Sequence, residues 1–203
     1  MWALVESNSI SKIYARPTAL QLGDIQYPAN IFELWTEAEL KAIGIYEITV
    51  DNTNLKDKEY YQNTDVTYTY NSSPDTVTGA YGTATAKSLT DVLYTATDES
   101  NGLGTEGELR TRGLKYRKKE TINGRANALL QKYDWYTLRA ASGGTAIPSS
   151  VSTYQAAVRT KANSMCTQID NAADVDALAA LYVYNTDDPP TRPLGEWPTN
   201  PTS

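Results

Sequence analysis

Histidine is absent from this 203-residue chain, and cysteine (Cys166) and phenylalanine (Phe32) occur once each. Without an imidazole the commonest general base and the commonest metal ligand are gone. Ser–His–Asp and Cys–His catalytic sets and the usual zinc arrangements are thereby excluded. A single cysteine cannot close an intrachain disulfide, and with no His to activate it Cys166 reads as a small hydrophobe within a helix. No stretch approaches the roughly 20 apolar residues that span a bilayer, so membrane insertion is not expected. The opening Met1–Glu6 lacks a basic flank and a long apolar run. It is therefore expected to be neither a signal peptide nor an anchor, in a protein made in a cytoplasm and soluble there.

Carboxylates are present but scattered. Asp98-Glu99, Asp174 with Asp176, and Asp187-Asp188 read as caps or solvated faces. A glycosidase pair drawn from distant segments would leave no local signature. No segment has the ligand spacing of a calcium-binding EF-hand loop. The chain is accordingly read as non-enzymatic, with no metal and no cofactor.

What is abundant is tyrosine, 15 residues, with four tryptophans, in a chain of net charge −6. Hydroxyl-bearing aromatics suit half-buried strands and interfaces. An acidic chain does not favour phosphate backbones, and nucleic acid is not expected as a partner. The basic run Arg110, Arg112, Lys115, Arg117, Lys118 and Lys119 contains Tyr116 as its one aromatic. It reads as a solvated helix face or as a patch meeting acids from the N-terminal half.

Periodicity divides the chain. Trp2–Val5 and Ile10–Tyr14 predict two short strands around Ser7-Asn8-Ser9. Thr36 with Glu39 has capping-box spacing for a short helix that stops at Gly44. Ile45–Val50 and Tyr60–Tyr70 alternate as strands, and Val77–Thr85 returns as a hairpin partner. The Gly-rich 101–108 is taken as a linker. A helix is expected over Leu109–Lys132, weakened by Gly113 and Gly124 at about 1 kcal/mol each, and Asp134-Trp135-Tyr136 is expected to end it. A second helix opens after Pro148, with Val151, Tyr154, Val158, Met165 and Ile169 in one stripe, and a last short one spans Asp176–Tyr184. The Pro-rich end is expected to be extended and held by intrachain docking or a partner.

The expected fold is α+β: a β-rich N-terminal domain with one short helix (1–100), the linker (101–108), a helical hairpin (109–184) and an extended tail (185–203).

The run from Arg125 through Leu129-Leu130 and Asp134-Trp135 to Arg139, then Ile147-Pro148 and Tyr154–Arg159, carries a pattern. It resembles the tail assembly chaperone-like and tail-fibre assembly proteins of tailed bacteriophages. Those share an Arg, a Leu-Leu pair, an Asp-Trp, a short loop and a Tyr-Arg-x-x-Val/Leu-Arg helix; here that helix opens Tyr154-Gln155. Met1–Asn8 also resembles such N-termini, and Phe32–Tyr46 and Asn171–Trp197 are similar to tail-associated proteins of marine phages. The resemblance implies a protein that binds other phage tail proteins, either as a virion component, which is slightly favoured, or as a transient assembly chaperone. It would be located in the host cytoplasm during assembly and then in the virion tail.

Physically, Trp135 is expected to fold back between the two helices, against Leu129 and Leu130 on one side and Tyr154 and Val158 on the other. Asp134 would cap the turn, and Arg139 and Arg159 would hold Asp134 or the loop carbonyls. Trp2, Trp35 and Trp197 are left as candidate partner contacts, with a carbohydrate-binding receptor module as the reading from another class. The Val151 stripe is expected to pack within the chain or to form a homo-oligomer, a trimer if fibre-like.

Overall fold

The computed structural model describes residues 1–201 and is α+β. It divides into two compact units, 1–85 and 86–203. The division falls at Thr85–Ala86, and the Gly-rich 101–108 lies inside the second unit, not between domains.

In the first unit, β1 (Trp2–Glu6) and β2 (Ser9–Tyr14) form a hairpin. Ser7 and Asn8 turn it with φ of 50° and 60°, the left-handed pair that matches strand twist in a two-residue loop. The sheet continues through β5 (Ile45–Asp51), β7 (Val66–Ser72) and β8 (Asp75–Tyr81) in the order β2-β1-β5-β8-β7. β5 and β8 run parallel, and the other neighbours are antiparallel. The sheet curls until its edge strands β2 and β7 come into contact.

One sheet face encloses Ala3, Tyr46, Ile48 and Val77, with Ile10, Ile13, Tyr68 and Tyr70 against them. Ile10 and Ile13 share a face despite their odd spacing because the β1–β2 register slips at Leu4/Val5. The opposite face, Leu4, Tyr14 and Ile45, is covered by Leu20, Ile31, Phe32 and Leu40. These come from the hairpin β3 (Leu20–Leu22) and β4 (Ile25–Tyr27), and from α1 (Ile31–Leu34) and α2 (Glu37–Ala42). α2 carries the expected capping box: Glu39 N–H donates to Thr36 Oγ1, and Thr36 N–H donates to the Glu39 carboxylate. Gly44, at φ +81°, donates its N–H to Lys41 O and stops the helix. The expected strand over Tyr60–Tyr70 is two pieces, β6 (Tyr61–Gln62) and β7. β6 pairs with β9 (Thr85–Ala86) at the end of the unit.

In the second unit, α3 (Ala96–Ser100) lies between β10 (Val92–Leu93) and β11 (Leu109–Thr111), which pair. Residues 109–111, expected as helix, are therefore strand, and α4 spans Leu114–Gln131. Gly113 stands before α4 as its N-cap, not inside it. Its N–H donates to Asp91, and a β-carbon on it would lie 2.3 Å from the Thr90 carbonyl carbon. Only glycine permits that approach.

α5 (Asp134–Ala141) follows directly, then α6 (Ser149–Asn171) and α7 (Val175–Ala180). α4 and α6 pack antiparallel. Lys119 pairs with Asp170 at 2.7 Å, Cys166 faces Asn123, and Tyr133 meets Tyr154, so contacts move forward on one helix as they move back on the other. Leu114, Ile122, Ala126 and Leu129 of α4 and the whole expected stripe of α6 are buried. The stripe is thus covered within the chain. The tail is held within the unit, with Leu194 buried and its N–H on Leu181 O.

Candidate protein-docking site

The hairpin motif splits into a buried and an exposed set. Leu129, Tyr154 and Val158 are buried and Leu130 is half-buried, as the expected packing requires. Trp135 is not between the helices: it is 50% exposed. Tyr133 takes the place expected for it, meeting Tyr154 edge-on with ring centroids 5.3 Å apart. The cause is local. α4 stops at Gln131 and the chain re-forms a helix at Asp134, so residues after Tyr133 leave the α4–α6 seam. Asp134-Trp135-Tyr136 therefore starts a helix, where an end was expected.

α5 then builds outward from that seam. Tyr136 stacks on Tyr133 at 6.3 Å, and Trp135 lies on Tyr136 at 3.8 Å. The Arg139 guanidinium sits over both, 4.8 Å from the Trp135 ring and 5.1 Å from the Tyr136 ring. Arg139 thus acts on aromatic faces and not on Asp134, and Arg159 is exposed on α6. Asp134 is the first residue of α5, whose N-cap position is taken by Tyr133. Leu138, three residues from Trp135 on the same helical face, is 68% exposed. An apolar pair at that spacing, beginning one residue after Asp134, was the available sequence signal for an outward-facing helix.

The tryptophans expected at partner contacts behave the other way. Trp2 packs on Phe32 at 4.7 Å and Trp35 meets Tyr27 edge-on at 5.7 Å, both against the first unit's core. Trp197 is half-buried.

Acids of the second unit hold much of the basic run. Arg112 pairs with Asp91 at 2.5 Å, Arg110 with Asp98 at 3.1 Å and Lys119 with Asp170 at 2.7 Å, while Lys115 donates to the Asp170 backbone carbonyl. The Gly113 N–H, and then Arg112, hold the Asp91 carboxyl below its usual pKa. The Thr95 backbone N–H does the same for Asp98. Burial pushes the Cys166 thiol and the Tyr154 phenol up, away from the reactive anion.

A groove of about 600 Å³ runs between the first turns of α6 and the tail, lined by Ser149, Thr153, Tyr154 and Pro198–Pro201. Among the described residues no cluster of three or more acids or cysteines could hold a metal ion, and no helix is long and apolar enough to cross a membrane. Comparison with protein-family models, with curated proteins and with solved structures finds no match to this chain.

Proposed function

We propose that the protein is a structural or assembly component of a phage tail, working by binding other proteins and not by catalysis. The observation that carries the binding role is the α5 face. Trp135 and Leu138 stand half or more exposed on a helix whose other aromatic, Tyr136, stacks on Tyr133 at the α4–α6 seam. A rigid aromatic anchor beside an arginine has the composition of interface hot spots. The phage assignment rests on the sequence pattern from Arg125 to Arg159 and carries a virion role ahead of a transient chaperone role.

Mass spectrometry of purified particles, with co-purification of the tail proteins encoded beside this chain, tests the assignment. Presence in particles supports the virion role. Absence from particles together with retained tail-protein binding supports the chaperone role. Absence from particles together with no binding to any tail protein removes the phage reading.

A further inference from the structure

Charge is unevenly distributed. Residues 1–85 hold five Lys and Arg against eleven Asp and Glu, a net charge of −6, whereas 86–203 holds thirteen of each. Within the second unit the stretch 121–165, which forms the outer part of the α4–α6 hairpin and all of α5, has five cations and one acid. The Trp135–Leu138 knob therefore projects from a basic surface. Arg125 on α4 and Lys132, the residue that caps its C-terminal end, are both exposed and about two turns apart, and lead up to it.

The acidic first unit also exposes large apolar residues. Ile25 is 58% exposed and Leu34 73% exposed. Ile25 is on the same side of β4 as Tyr27, and the Tyr27 ring meets Trp35, the residue that follows Leu34 at the end of α1, at 5.7 Å. Exposed acids, Asp24 and Glu33, immediately precede the two apolar residues in sequence. Knob and seat thus match in both respects: apolar residues to cover on each, and opposite charge around them.

We propose that the protein assembles head to tail with copies of itself, the Trp135–Leu138 knob of one copy seating on the Ile25–Leu34 surface of the next. Different patches meet, so the contact is heterologous and propagates into a ring or a filament instead of stopping at a two-fold dimer. The charges steer the encounter and the aromatic knob supplies the hold. This goes beyond the phage reading and needs no other tail protein, so purified full-length chain suffices to test it.

Sedimentation velocity at low and high salt is the measurement, with circular dichroism as a folding control. Wild type is expected to associate with rising concentration, and less so as salt is raised. Trp135→Ala is expected to weaken association about tenfold or more. Arg125→Glu with Lys132→Glu reverses the knob's surroundings, and Asp24→Lys with Glu33→Lys reverses the seat's. Each double variant alone is expected to stay monomeric, and an equimolar mixture of the two is expected to associate again, because each reversed surface then finds its complement. A wild-type monomer at every concentration overturns the proposal and leaves the knob to a different protein. Association of the seat variant alone also overturns it, since that would mean knob against knob. A mixture that fails to associate overturns the head-to-tail pairing.

Discussion

Arg139 lies over the face of Trp135, its guanidinium carbon 4.8 Å from the ring centroid, on the exposed side of α5. The pair belongs to the surface, so removing the indole should leave the core intact. Such a contact is worth about 0.5–1 kcal/mol at an exposed site. Trp135→Ala is therefore expected to lower stability by about 1 kcal/mol in chemical denaturation. Met165→Ala, at a fully buried site on α6, is expected to lose about 2–5 kcal/mol. Similar losses for the two variants would show that Trp135 is a core residue after all.

The two helical glycines first taken as equivalent should respond to alanine with opposite signs. At Gly113 the added β-carbon meets the Thr90 backbone at 2.3–2.4 Å, which no side-chain rotation relieves. Gly113→Ala is expected to destabilise by about 1–3 kcal/mol as the strand-to-helix junction shifts. At Gly124, exposed inside α4, the added β-carbon meets nothing within 4 Å. Gly124→Ala is expected to stabilise by about 1 kcal/mol through helix propensity. Thermal melts of both variants give the signs directly.

That contrast shows what was legible in the sequence. Local rules placed a turn over Ser7-Asn8-Ser9, the Thr36–Glu39 box, the Gly44 stop and the α6 stripe, because each depends on residues within one or two turns of chain. The Gly113 N-cap was not legible, since it is defined by Asp91 and Thr90, more than twenty residues upstream. Trp135 failed for a related reason. The fold places Tyr133, two residues earlier, opposite Tyr154, and once α5 starts a new axis the next aromatic turns outward. An apolar residue near a seam could fill it or face water, and periodicity does not decide between them when a helix restarts. Propensity likewise called for helix at Leu109–Thr111, where pairing with β10 imposes strand.

Asp91 gives a test by pH. Its carboxyl accepts the Gly113 N–H at 2.8 Å and is held below its usual pKa in the folded state by that bond first and Arg112 second. A lowered folded pKa means stability that is fully present above the unfolded value of about 3.9 and lost as pH falls through the folded one. Asp91→Asn cannot titrate. Wild type is therefore expected to be the more stable at pH 7, with the gap narrowing as pH falls below about 4. Denaturant midpoints for both proteins between pH 7 and 3 would reveal it; a gap that stays constant would remove Asp91 from the acid response.

The tail offers a buried and an exposed contact within sixteen residues. Leu194 is 1% exposed, and its N–H donates to Leu181 O just beyond α7. Around it Asn185 binds Thr191 through its side chain and backbone, and Tyr184 donates its hydroxyl to Glu196. The polar contacts are exposed and exchange with water at little net gain, whereas Leu194 fills space in the core. Leu194→Ala is expected to lower stability by about 2–5 kcal/mol. Tyr184→Phe is expected to stay within about 0.5 kcal/mol of wild type. If instead the phenylalanine variant loses as much as the alanine variant, the tail is held by its polar loop, and the burial of Leu194 follows from that loop instead of holding it in place.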